Sequence, residues 1–534
     1  MIENLNFSQE NKKEIKKSSE ACNQIYEYLR KYEVEAKKER GEPLYLSASM
    51  YAVTSIEVSV LNGERVNNYN SSLQNKTIVT AHYKPAKPIF YVENEIFSKD
   101  MLWKAELQAW ENYGNYRHSR FEEKEFNLLQ PERSIKDNIK MNEFDENDAL
   151  EIMKNLDYIS REAKEKVDRV LYNLSLKDIK FSFVDVAGSE IIQELNYWYV
   201  IFVVRKKANQ YPLRHFELSY SIGASEVKKS FNKLFKTLYE GVMNTVNKVE
   251  LFSKNSSNPS EFTLSSGNYK AILDGRVAGV ALHEFGAGHL AEAHRVIEEG
   301  EALTFYGKIG KRISTHHVTL IDDGTLEIEG IKPISYYLYD AEGVRKKSVE
   351  IIKDGRFNSY LHSKLTAGTL SEEEGGGFLT GNARIEVENE TKTPIVPRMS
   401  TLYLKPRDLS FDELLEMAKG GILITSGSPS GEVLTQLAVG WMPIDEMYYI
   451  DHNKDIKPLI YPQYNVYIRE TPESFLKKIK GVGNKKTLTF DVGFCGAESG
   501  FIPHAIYSPA VFVNRVCIIL SKGMSFLREP LVKQ

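Results

Sequence analysis

The stretch Ala271-Ile-Leu-Asp274-Gly-Arg-Val-Ala-Gly-Val-Ala-Leu-His283-Glu284-Phe-Gly286-Ala-Gly288-His289-Leu-Ala-Glu292-Ala-His294 decides how the chain is read. Ala271–Leu273 reads as the end of a strand. Asp274 suits a helix N-cap, because its carboxylate can accept from the first free backbone N–H groups. Val277, Val280 and Ala281 give the following helix a buried face, so His283-Glu284 falls on a helix packed into its domain. Two neutral imidazoles can bind Zn²⁺ at about 2.0–2.1 Å and leave room for a third ligand and a water. An adjacent carboxylate that does not bind the metal can then take a proton from that water, the role expected of Glu284.

The spacing of the imidazoles is unusual. His289 follows His283 by six positions rather than four. In a regular helix the two would lie about 120° apart around the axis and would share one ion poorly. Gly286 and Gly288 supply a place for the helix to end or bulge. The plain alternative is a pair of ordinary core or surface histidines. His294 competes as a ligand, but an unbroken helix would put it about 16 Å from His283. A third ligand must come from elsewhere in the chain. Gly493-Phe-Cys495-Gly496-Ala-Glu-Ser-Gly500 places a cysteine among glycines just after an expected strand, Thr487–Val492. A thiolate is a good zinc ligand, although a lone cysteine can also be a small buried hydrophobe.

Outward from this stretch, texture divides the chain. Before it, expected helices are Glu10–Arg40, Met101–Tyr113, Asp145–Leu174 and Ser225–Val249. Expected strands there are Leu44–Leu61, a strand or two ending at an Asn62-Gly63 turn, then Lys76–Tyr83, Ile179–Val186, Tyr197–Lys206 and Phe216–Ser221. Ser253 to Asn268 holds six Ser and three Asn and reads as a linker. After it come short β-like runs broken by Gly, Asp and Asn, including Ser314–Ile321, Ser335–Asp340, Ser348–Ile352, Ser400–Leu404 and Glu432–Trp441. The expectation is an α+β protein. Residues 1–255 form an N-terminal α+β domain and 256–534 a β-rich C-terminal domain carrying the metal helix. His316-His317 sits in one strand-like run, where alternation would point the two rings apart.

The bulk properties are those of a soluble globular protein. A net charge of -4 across 534 residues gives no attraction to nucleic acid or membrane. Cys22, Cys495 and Cys517 are too few and scattered for a disulfide framework. With no signal peptide or membrane span read in the sequence, a reducing, cytoplasmic setting is expected.

The motifs resemble those of the TldD/PmbA family of metallopeptidases over Tyr269–Gly523. The family's helix carries His-Glu, then Gly-His and a Glu three further on. His283-Glu284 and Gly288-His289-Leu-Ala-Glu292 match both halves, with one extra residue between them. Cys495-Gly496 is similar to the family's ligating Cys-Gly. Asp340-Ala-Glu-Gly343, Gly381-Asn382-Ala-Arg384 and Pro397-Arg398-Met-Ser-Thr follow in family order. The resemblance implies a barrel-like C-terminal domain and one Zn²⁺ per chain held by His283, His289 and Cys495. It also implies peptide or unfolded-protein substrates, and a homodimer or a heterodimer with a related subunit. Arg398 is a candidate for orienting substrate or for a structural salt bridge, and Glu292 for orienting a ligand histidine. The competing reading is a metal-free scaffold or partner subunit, in which the extra residue has destroyed the site.

Overall fold

The computed structural model describes residues 18–119, 124–141, 144–207, 215–254, 262–286, 288–297, 305–388, 393–427, 432–434, 439–461 and 464–521. Helix α1 (Ser18–Arg40) leads into β1 (Leu44–Leu61); the expected helical residues 10–17 lie outside the described residues. Asn62 and Gly63 take positive φ, 52° and 86°, and fold β1 onto β2 (Glu64–Tyr83). Positive φ at both central residues is what a twisted two-residue hairpin needs. There follow β3 (Ile89–Glu93), α2 (Lys99–His118), β4 (Lys136–Ile139), α3 (Glu146–Lys164), β5 (Arg169–Asp185), β6 (Glu190–Lys207), β7 (His215–Ser225) and α4 (Val227–Lys254). The strands form one seven-stranded sheet in the order β3-β2-β1-β5-β6-β4, with β7 also on β6.

Alternation divides this sheet into two faces. Val58, Val170, Tyr172, Val200 and Phe202 pack under α3 and α4. Leu46, Ala48, Val79 and Val184 pack under α1 and α2. Tyr51, Phe181, Phe183 and Tyr197 point the other way, onto the C-terminal half. One expectation fails here. Helix was expected through Leu174, but α3 stops at Lys164 and the chain pairs as β5 from Arg169. Val170, Tyr172, Leu174 and Leu176 are buried while Arg169, Leu171, Asn173 and Ser175 between them are half-buried or exposed, a period of two rather than 3.6.

The expected boundary at 255/256 lies outside the described residues, and the ends of the expected linker belong to α4 and to β8 (Gly267–Leu273). Then come α5 (Gly275–Ala281), β9 (Leu320–Asp322), β10 (Val349–Lys353), β11 (Thr401–Leu404), β12 (Ile422–Gly427), β13 (Val439–Ile450), β14 (Asn465–Glu470), β15 (Thr489–Ala497), β16 (Gly500–Ser508) and β17 (Val511–Ser521). Strands β12-β8-β17-β14-β13 close into a five-stranded barrel through the β12–β13 pairing. A second sheet runs β10-β9-β11-β16-β15. Its β15–β16 hairpin meets the N-terminal sheet where Phe494 packs on Tyr197 and Tyr199. The α+β class and the barrel-like C-terminal half are as expected.

Several short strands are not. Ser335–Asp340 forms turns, and within it only Tyr339 makes a bridge, to Arg345. The backbone N–H groups of Leu338 and Tyr339 donate to Gln193 Oε1 of β6, at 2.6 and 3.1 Å. In Ser314–Ile321, pairing begins only at Leu320, and a turn at His316-His317 brings the two rings to 3.8 Å instead of pointing them apart. Glu432–Trp441 is two strand pieces, Glu432–Leu434 and β13 from Val439; residues 435–438 lie outside the described residues. No helix among the described residues is long and apolar enough to cross a membrane.

Candidate metal centre

Asp274 caps α5, its Oδ1 accepting from the Val277 N–H at 2.9 Å. The helix does not continue regularly past Ala281. Leu282–Gly286 forms a π turn, and His289–Ala291 a single 3-10 turn. Between them the Gly288 N–H reaches back to the Leu282 carbonyl at 3.1 Å. A wider turn takes up extra residues, so the six-residue spacing no longer sends the imidazoles to different sides. Gly288 is required for this: a Cβ there would lie 2.5 Å from the His283 carbonyl oxygen and 2.3 Å from Met399 Sδ.

Cys495 arrives from the opposite side, within β15 rather than after it. Its Sγ lies 3.1 Å from His283 Nε2 and 3.2 Å from His289 Nε2. The three donor atoms all fall within 4.8 Å of one another. Tetrahedral zinc with ordinary Zn–N and Zn–S bonds sets neighbouring donors about 3.3–3.6 Å apart. The two sulfur–nitrogen distances are a few tenths of an ångström shorter than this and the two nitrogens lie within 4.8 Å of each other; a donor set of two imidazoles and one thiol suits a zinc ion with one position left over. His294 stands apart from this group, its Nε2 3.5 Å from Glu498 Oε2.

Glu284 straddles the pair, with Oε1 3.9 Å from His283 Nε2 and Oε2 3.9 Å from His289 Nε2. Glu292 lies behind it, wholly buried. Its Oε2 is 3.3 Å from His289 Nδ1, and its Oε1 is 3.2 Å from Arg398 Nε. Arg398 also donates to Ser499 Oγ at 3.0 Å and to the Cys495 carbonyl at 3.0 Å. One buried ion pair thus ties the orienting carboxylate of His289 to the backbone that carries the thiol. The structure places Arg398 in this brace, with its donors turned onto protein groups.

The electrostatics follow from the packing. Burial opposes protonation of His289, but the neighbouring Cys495 and Glu292 outweigh it and raise its pKa to about 10. Burial, with His504, His289 and Arg398 nearby, holds His283 well below the usual imidazole range. Burial would raise Glu292, yet His289 and Arg398 hold it well below the usual carboxylate range. Sequence reasoning missed His504. Its ring centroid lies 4.4 Å from that of His283, and burial lowers its pKa to about 4. The signal was available: in a β15–β16 hairpin His504 pairs with Gly493, two residues before Cys495 and therefore on the same face.

Residues 266–519 match the PmbA/TldA metallopeptidase C-terminal domain. The C-terminal half of this chain is a PmbA/TldD-family domain. A metalloprotease of Methanocaldococcus jannaschii is 37% identical over 237 residues, 44% of this chain and 48% of that protein. A zinc metalloprotease TldD homolog of Saccharolobus solfataricus is 29% identical over 254 residues, 48% of this chain and 52% of its own length. The chain spans about half the length of the curated relatives it matches. The crystal structure of TldE from Thermococcus kodakarensis extends the likeness in fold beyond the PmbA/TldD domain. It covers 89% of this chain and 96% of its own, with a TM-score of 0.62 at 15% identity.

Proposed function

We propose that this chain is a zinc metallopeptidase, with His283, His289 and Cys495 as ligands and Glu284 as general base. The observation that supports it most is the meeting of two imidazoles from an interrupted helix with a thiol from a distant strand, 3.1 and 3.2 Å from the sulfur. Relatives named as metalloproteases and as a zinc metalloprotease favour the same chemistry. When bound, the ion supplies Lewis-acid chemistry, acidifying water and polarising a carbonyl. Glu284, near both imidazoles, accepts the proton of the attacking water and returns it to the leaving amine. Glu292 holds His289 in the tautomer whose Nε2 lone pair faces the site. Arg398 keeps Glu292 ionised and the Cys495 backbone in place.

Substrates on this reading are short or unfolded peptides, and the working particle is a dimer of two copies or of this chain with a related subunit. Subunit mass in solution tests the latter. Replacing Glu284 with Gln tests the chemistry: zinc content stays near one per chain while peptide cleavage disappears. Persistent cleavage in that variant would remove Glu284 as the base.

A further inference from the structure

A cavity of about 90 Å³ lies between the tyrosine-bearing face of the N-terminal sheet and the loops of the C-terminal half. Tyr51, Phe181 and Tyr197 line it from the sheet, and Tyr337, Tyr339 and Arg384 from the other side. At about 10–15 Å³ per water it has room for roughly six to nine waters. That is the heavy-atom count of a carboxylate with a medium-sized side chain.

Arg384 gives the cavity its chemistry. Its Cζ lies 5.2 Å from the centroid of the Tyr337 ring, and its Nη1 donates to the Met399 carbonyl at 2.6 Å. A guanidinium has five N–H donors, so most remain. Among the described residues Arg384 forms no ion pair with a carboxylate. Asp340 also lines the cavity, but its oxygens accept from the backbone N–H groups of Glu342, Val344 and Ala383, each at 2.9 Å. Nearby Glu388 pairs with Lys177. A guanidinium held near an aromatic ring, with donors to spare and no carboxylate at ion-pair distance among the described residues (Asp322, which acts on it from further off, is paired with Lys346), suits the planar, bidentate recognition of a carboxylate.

The cavity adjoins the metal centre. Ile502, in its wall, is the cross-strand partner of Cys495, and Pro503 precedes His504. Met399, whose carbonyl Arg384 holds, gives its own N–H to Glu292 at 3.4 Å. We propose that this cavity is a carboxylate-binding subsite that takes the C-terminal residue of a peptide, with its α-carboxylate on Arg384 and its side chain among the tyrosines. The identity of the ligand as a peptide rests on the metallopeptidase reading; the preference for a carboxylate does not.

Calorimetry on the full chain, stripped of metal with a chelator so that nothing is cleaved, tests this. The probes are Ala-Ala-Leu, its C-terminal amide, and Ala-Ala-Glu amide, which carries its carboxylate on the side chain. A hydrogen-bonded charge makes the free acid bind about tenfold or more tighter than the leucine amide. Arg384→Gln brings the acid down to the amide, while Arg384→Lys keeps part of the difference. Equal binding of acid and amide by the unsubstituted chain would overturn the proposal, whatever the stability of the variants. So would an advantage of the acid that survives Arg384→Gln. Binding of the glutamate amide as tightly as the free acid would overturn the C-terminal assignment. Because no metal is present, failure of the metallopeptidase reading would leave these results untouched.

Discussion

Strands β1 and β5 keep one register through fifteen residue pairs, from Ser47↔Asp185 to Leu61↔Leu171. The chain between Gly275 and Ala291 passes from α to π to 3-10 geometry. The first region satisfies its backbone through a ladder, and its side chains need only be apolar on one side. The second closes short turns of changing width, such as that from the Gly288 N–H to the Leu282 carbonyl, and is held as well by buried side chains from distant segments. Glu292, Arg398 and the Cys495 carbonyl form one such brace. Elsewhere in the same half Asp322 centres a second brace, between segments of irregular chain: it accepts from the Ser400 N–H and hydroxyl and from Asn382, and pairs with Lys346 at 2.9 Å, both side chains fully buried. Irregular backbone is stable only where such polar partners are complete, and it is where a ligand set of odd spacing can converge.

The largest effect should come from breaking that second brace. Asp322→Ala leaves the Lys346 ammonium buried without its counter-charge and costs about 3–5 kcal/mol in a denaturant titration. Leu176→Ala, beneath the regular sheet, should cost about 2–5 kcal/mol and leave zinc affinity unchanged. If it also abolished zinc binding, the two regions would not be as separable as described. Gly288→Ala should cost about 1–3 kcal/mol and sharply weaken zinc binding, because its Cβ collides with the His283 backbone. Zinc competition with a chromophoric chelator reads this directly.

A smaller effect lies in pH. Burial raises Asp274 to about 7 from an ordinary 3.8, although the Val277 N–H bond lowers it. The folded state therefore holds a proton that the unfolded chain releases between those values. Stability from this group is full below that window and falls as pH rises through it. Asp274→Asn keeps an acceptor for the cap and removes the charge. Its melting temperature should lose that decline between about pH 4 and pH 7. An unchanged slope would place the titration elsewhere.

The same contrast explains what the sequence disclosed. The ends of Leu44–Leu61 and its Asn62-Gly63 turn were legible, because alternation and turn chemistry are local; that the run is one strand rather than two was settled by its pairing. Extending the helix beyond Lys164 was an error of period, correctable from Val170, Tyr172 and Leu174 alone. The C-terminal irregularities were less accessible. Nothing near Ser335–Asp340 announces that Gln193 will accept its backbone N–H groups. At the site, the need for a break between His283 and His289 was visible in Gly286 and Gly288, and so was the cysteine. The position of Cys495 inside a strand, the double role of Glu292 and the ring of His504 depended on hairpin register and on pairings across more than a hundred residues. That Arg384 has no carboxylate at ion-pair distance among the described residues likewise shows only once its neighbours are placed.

The most direct test is the zinc content of the purified chain, measured beside that of Cys495→Ala. One ion per chain, falling to a small fraction in the variant while far-ultraviolet circular dichroism stays the same, is the outcome the shared site requires. A full equivalent of zinc retained without the thiol, or none in the unsubstituted protein after zinc is supplied, would contradict it.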